Sequence, residues 1–146
     1  MIDPKKLHGH WTLVDFKEQA ADGSWFDAVG PGMRGVISYW PQGYVQVHQG
    51  SSARPQLKGA WRDIPAAEKA ACLDLMVAYS GTYTVGEDRV THHVNFCWIP
   101  NWEGRDLVRL VSFPKEGQLL LKTVSTSGGR VLPAQSVLWE RSLPSR

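Results

Sequence analysis

The sequence predicts a mainly β protein, with about eight antiparallel strands meandering up and down until the sheet closes into a barrel, and one inserted helix. Short runs rich in β-branched and aromatic residues recur between turn-forming residues, which is the pattern of strands rather than helices. The connectors Pro41-Gln42-Gly43, Gly86-Glu87-Asp88, Pro114-Lys115-Glu116-Gly117 and Ser127-Gly128-Gly129 have hairpin chemistry, which joins consecutive strands antiparallel. Only one segment, Ile64–Ser80, reads as helical.

In chain order the expected strands are His10–Glu18, Gly35–Trp40, Tyr44–Gln49, Gly81–Val85, Arg89–Ile99, Asp106–Phe113, Gln118–Val124 and Ser136–Arg141, with Trp25–Ala28 as an extra. The helical segment is alanine-rich, starts at Pro65, which suits a first turn, and ends at Gly81, which suits a C-cap. Cys72, Leu75, Met76 and Tyr79 fall on one of its faces at i, i+3, i+4, i+7 spacing. That face needs an apolar surface, and capping the barrel end or side supplies one. No linker or internal repeat divides the chain, so residues 1–146 are expected to form a single domain.

The 146 residues are 42% hydrophobic and 21% charged, the balance of an ordinary globular domain. A net charge of +2, with only Lys5 and Lys6 adjacent, gives no basic stripe for nucleic acid. No signal-peptide core or membrane-length apolar run is present, and a cytoplasmic location is expected. Cys72 and Cys97 form no CxxC or zinc spacing and are expected as reduced thiols. Seven tryptophans call for a large aromatic core or an aromatic-lined cavity. Nucleophile-elbow, phosphate-loop, HExxH and EF-hand patterns are all missing, so neither a metal nor a cofactor is expected.

Ordered short motifs run through the chain: Leu7-x-Gly9-x-Trp11-x-Leu13, Gly35-x-Ile37-x-Tyr39, Gly43-Tyr44, Arg54-Pro55, Tyr79-x-Gly81-x-Tyr83, His92-His93-Val94, Pro100-Asn101-Trp102, Arg109, and a closing Leu138-Trp139-Glu140-Arg141. Together they resemble the bacterial lipocalin-like domain family of the lipocalin/calycin superfamily. The resemblance implies a β-barrel with an internal cavity, in which the Gly-x-Trp tryptophan closes the base and the late arginine packs over it. It also implies that Trp11, Trp139 and Arg141 are structural. Related barrels include isomerases and cyclases, and members often stand beside biosynthetic enzymes.

His92 and His93 are adjacent on a strand and so point to opposite faces. One face reads Val90, His92, Val94, Phe96, Trp98, and the other Thr91, His93, Asn95, Cys97, Ile99. Burial of Phe96 and Trp98 favours the first face inward; the second would instead present His93 and Asn95 to the lumen. A lumenal His92 is open to two readings, a core histidine bonded to a neighbouring tyrosine or a ligand-reading group. Arg109, between aliphatic neighbours, either projects outward or offers a ligand carboxylate or phenolate a bidentate partner. Tyr39 is the hairpin's lumen candidate, whereas Tyr79 and Tyr83 flank the expected helix end.

The leading expectation is a binding module for a small, mostly apolar, aromatic or polyketide-like ligand inside the barrel. Its ligand-binding candidates are Tyr39, Tyr79, Tyr83, His92, Phe96, Trp98 and Arg109. The rival is an isomerase or cyclase acting on a natural-product intermediate, with His92 or Tyr83 as the acid–base group. A third reading is a haem-binding barrel with His92 or His93 as axial ligand. The sequence leaves the assembly state open, a homodimer among the options.

Overall fold

A computed structural model of the chain describes residues 1–123 and 134–143. It contains β1 (Gly9–Gln19), β2 (Trp25–Asp27), β3 (Met33–Tyr39), β4 (Tyr44–Ser51), α1 (Ala66–Leu73), β5 (Met76–Val85), β6 (Arg89–Cys97), β7 (Asp106–Ser112), β8 (Gln118–Thr123) and β9 (Gln135–Arg141). Short 3-10 turns at Pro4–Lys6, Trp61–Asp63 and Pro100–Trp102 link them. Val124, expected to end the seventh strand, and the Ser127-Gly128-Gly129 turn lie outside the described residues.

Every strand pairs antiparallel with its neighbour in the order β1-β3-β4-β5-β6-β7-β8-β9, and β9 pairs back onto β1, so eight strands close into an up-and-down barrel. The short β2 pairs with the far end of β1 through Lys17, Glu18 and Gln19, which β3 does not reach. Closure leaves no free edge among the eight, and with it no exposed row of unpaired backbone groups.

Alternation then decides what faces inward. Ile37 and Tyr39 of β3, Val45 and Val47 of β4, Tyr79 and Tyr83 of β5, Leu119 and Leu121 of β8, and Val137 and Trp139 of β9 are all buried odd-numbered positions. Two bulges shift the phase. On β1, Leu13 pairs with Trp139 and Asp15 with Leu138, so Val14 is the extra residue and Phe16 becomes the next buried position. On β6, Phe96 pairs with Ser80 and Val94 with Gly81, so Asn95 is extra. A Cβ on Gly81 would sit 1.9 Å from the His93 carbonyl oxygen, so the bulge requires glycine opposite it. Gly81 is therefore a mid-strand residue, not a helix cap.

The helix is shorter than expected, Ala66–Leu73 instead of Ile64–Ser80. Met76, Val77, Ala78 and Tyr79 belong to β5. Leu75 and Met76 match an i+3, i+4 face, but Val77, Tyr79, Gly81 and Tyr83 also match a period of two, and pairing with β4 at Gly50↔Met76 through Val47↔Tyr79 makes that period the one used. α1 packs against β5.

One end of the barrel carries the N-terminal turn and the β3–β4, β5–β6 and β7–β8 hairpins. It is plugged by Leu7, Trp11, Tyr39, Val45, Val90 and Leu119, each close to fully buried. Burial of such side chains contributes about 1.5–3 kcal/mol apiece. Gly43 takes a φ of 89°, which lets the β3–β4 hairpin turn within three residues while Trp40 and Tyr44 remain bonded. Trp11 donates its indole N–H to the Leu7 carbonyl at 2.8 Å. Over its ring, at 4.2 Å, lies the Arg141 guanidinium, which also donates to the carbonyls of His8 at 2.6 Å and Lys6 at 2.8 Å. The arginine thereby ties the last strand to the segment before the first.

Replacing Arg141 by alanine removes one cation–π contact and two charge-assisted hydrogen bonds and is expected to destabilise the protein by about 1–3 kcal/mol. Urea unfolding followed by tryptophan fluorescence checks this, with Arg141→Lys falling between the two.

Candidate functional site

β6 turns Val90, His92 and Val94 into the barrel, so His92, not His93, is the inward histidine. Its imidazole is 1% exposed and is held on both sides. The Tyr39 hydroxyl lies 2.7 Å from Nε2 and the Tyr79 hydroxyl 2.8 Å from Nδ1. His93 points outward between the Thr84 hydroxyl, at 3.0 Å, and Asp106, at 2.6 Å.

Burial holds His92 far below its ordinary 6.5, at about 3, and the nearby positive charge of Arg109 adds to the effect. Burial acts the other way on the phenols: Tyr79 is pushed up to about 12 and Tyr39 well above 10, while Arg109 pulls against both. At neutral pH all three groups are uncharged. A neutral imidazole has one N–H and one lone pair, so one tyrosine donates to it and the other accepts from it. The accepting tyrosine keeps a hydroxyl proton that needs another acceptor.

The site's cavity decides which tyrosine that is. A void of about 50 Å³ is bordered by apolar side chains from most of the strands (Phe16, Ile37, Val47, Val77, Leu121 and Val137), by Gln49, Tyr79, His92, Arg109, Gln135 and Trp139, and by Trp102 of the β6–β7 turn. Tyr79 borders it and Tyr39 does not. A free proton on Tyr39 would be buried without an acceptor, at a cost of about 1–3 kcal/mol. The assignment with fewer unmet groups has Tyr39 donating to Nε2, Nδ1–H donating to the Tyr79 oxygen, and the Tyr79 hydroxyl proton directed to the cavity.

Of the seven expected ligand-binding residues, Tyr79, His92 and Arg109 border the void, and Tyr39 stands behind His92. Tyr83 lies toward the plugged end, stacked edge-on to Tyr39 with ring centroids 5.0 Å apart, and donates its hydroxyl to the Trp40 carbonyl at 3.0 Å. Trp98 is half-buried and packs edge-on against Trp102 at 5.1 Å, outside the cavity lining. Phe96 is 72% exposed, because the Asn95 bulge reverses the alternation and turns Cys97 inward in its place. Arg109 faces inward, not outward, alternating with buried Leu107.

Besides the aliphatic and phenyl wall, Gln49, Gln135, Trp102 and Trp139 line the void without having been named as ligand-binding candidates. Gln49 and Gln135 sit in phase with Val47 and Val137, so strand alternation carried the signal. Trp102 stands on a turn with no periodicity to place it. Trp139 was expected as purely structural, yet its indole nitrogen is the only buried side-chain nitrogen or oxygen among the described residues without a hydrogen-bond partner.

Residues 8–142 match the family model described as a lipocalin-like domain. The chain belongs to the lipocalin-like domain family. Its barrel is similar to a redesigned β-barrel (10% identity, 96% of this chain and 95% of that one, TM-score 0.48) and to a de novo designed fluorescence-activating β-barrel (12% identity, 97% and 100%, TM-score 0.46). No curated protein matches the chain. Among the described residues of this lipocalin-like chain, no helix is long and apolar enough to cross a membrane.

The lipocalin-like cavity does not fit the haem reading. About 50 Å³ is far below the roughly 300–1,000 Å³ of drug-sized sites, His92 has both nitrogens engaged, and His93 lies on the outer face.

Because His92 is neutral when folded but takes up a proton below about 6.5 when unfolded, the unfolded chain binds more protons between those values. Stability from this group is complete above pH 6.5 and is lost as the pH falls toward 3, by on the order of 1.4 kcal/mol per unit. Chemical unfolding at pH 7, 6 and 5 is expected to show this slope in the wild type and to lose it in His92→Gln.

Proposed function

We propose that the barrel is a binding module that encloses a small molecule, or the leading end of one, in the void beside His92. The observation that carries this reading is the void itself, walled by aliphatic and aromatic side chains while polar groups from separate strands converge on it. Its volume of about 50 Å³ suits a short apolar stem with one polar end. An aromatic or polyketide-like ligand fits this reading through such an end, with its remainder beyond the void.

Binding is favoured over isomerase or cyclase chemistry by the state of the acid–base candidates. His92 is neutral, far below its ordinary range, and both its nitrogens are spoken for within the protein. Tyr83 is engaged by the Trp40 carbonyl. A general base at neutral pH needs an available lone pair and a matching proton affinity, and neither group offers both.

Val137→Phe places a phenyl group in the void. Short-chain ligands followed by NMR titration are expected to bind the wild type in the interior and to lose at least about ten-fold in affinity in the variant, within the modest stability loss of overpacking, about 1–3 kcal/mol. Unchanged affinity in a folded Val137→Phe protein would place the ligand elsewhere.

A further inference from the structure

We infer that the void recognises an anionic oxygen head group, a carboxylate, through Arg109, the indole N–H of Trp139 and the hydroxyl of Tyr79. This rests on the reading of the barrel as a small-ligand binder and adds the chemical class of what it takes.

Trp139 supplies the first ground. It is 1% exposed, borders the void, and its Nε1–H meets no acceptor in the described residues. A buried donor left unmet is destabilising, and the same indole group on Trp11, at the plugged end, has its carbonyl at 2.8 Å. The fold can satisfy a buried indole, and does so where the core is filled. At Trp139, whose side chain borders the void, no acceptor among the described residues takes that place.

Arg109 supplies the second. Its guanidinium stands on the inner face of β7 and donates from Nη1 to the Val108 carbonyl at 3.1 Å. No carboxylate among the described residues lies within 4.0 Å of it, whereas on the surface Lys17 has two and Arg89 has one. An inward positive charge without a counter-ion is costly unless something of opposite sign joins it.

Tyr79 is the third. With His92 Nδ1–H donating to its oxygen, the remaining hydroxyl proton is directed to the same void. Gln135 also borders it, its amide N–H₂ held by Glu18 at 3.0 Å. Three side chains that carry donors, one of them a positive charge without a carboxylate partner among the described residues, thus border a single small cavity. An amine would repel Arg109 and leave the indole unmet, and a neutral alcohol would leave the charge uncompensated. A carboxylate supplies two acceptor oxygens and the missing charge, and its stem meets the wall of Phe16, Val47, Leu121 and Val137.

The test uses butyrate, butanol and butylamine titrated into ¹⁵N-labelled protein, read by interior resonances and by the Trp139 indole signal, assigned with Trp139→Phe. Butyrate is expected to bind roughly 10- to 100-fold more tightly than butanol, to shift the Trp139 indole proton downfield, and to outcompete butylamine entirely. In Arg109→Gln the butyrate preference is expected to fall to about two-fold or less while butanol affinity is retained. Should butanol match butyrate in the wild type, or the preference survive in Arg109→Gln with the indole signal unmoved, the carboxylate assignment is overturned and interior binding stands. If none of the three perturbs interior resonances, both fail.

Discussion

A histidine on the inner wall of a closed barrel has no water to turn to, so its two nitrogens must be satisfied by the barrel itself. Here Tyr39 and Tyr79, on β3 and β5, reach His92 on β6 from opposite sides. The three side chains tie β3 to the β5–β6 hairpin, and burial holds the imidazole between them neutral. Much of the interior follows from that constraint. Tyr39, donating to the imidazole, is packed into the plugged end against Tyr83. Tyr79, accepting from it, retains one proton that must look elsewhere. A neutral, fully engaged histidine is a poor base but a rigid fixture, and it fixes the tyrosine beside it.

The plugged end and the cavity end use similar materials to different effect. Both have a buried tryptophan and an arginine. At the plugged end Trp11 donates to a carbonyl and Arg141 covers its ring while bonding backbone oxygens, so charge and donors are met within the chain. Around the void, Trp139 and Arg109 are left without equivalent partners among the described residues. Packing density alone would not create that contrast, since a small apolar void can remain dry and harmless. The chemistry of the lining makes the void a site, and its donor excess gives the site a sign.

The barrel was legible in the sequence because its evidence is local: hairpin turns at Pro41-Gln42-Gly43 and Gly86-Glu87-Asp88, and alternation between them. The motifs that resemble the lipocalin-like family extended that reading to the joining of the first strand and the last. Alternation also put His92 and His93 on opposite faces; His92 was favoured inward on the expected burial of Phe96 and Trp98, and it is inward although Phe96 is exposed and Trp98 lies outside the cavity lining. The errors share one cause, that phase along a strand depends on the partner strand. The Asn95 bulge moved Phe96 to the surface and Cys97 to the interior, and nothing local to Asn95 announces an extra residue. Likewise Tyr79 satisfies two periods at once, a helical face with Leu75 and Met76 and a strand face with Val77, Gly81 and Tyr83, and only pairing with β4 selects the strand. Trp139 was expected as a structural residue and is buried, but the absence of an acceptor near its nitrogen among the described residues depends on side chains from several strands and has no trace in spacing.

The arrangement of protons around His92 tests the account most directly, and neutron diffraction from a deuterium-exchanged crystal near neutral pH would locate them. The account predicts deuterium on Nδ1 and none on Nε2, the Tyr39 hydroxyl deuterium directed at Nε2, and the Tyr79 hydroxyl deuterium directed into the void. Deuterium on Nε2, or on both nitrogens, would contradict it, because Tyr79 would then give its proton to the histidine or the imidazole would carry charge, and the void would lose the donor that the proposed site requires.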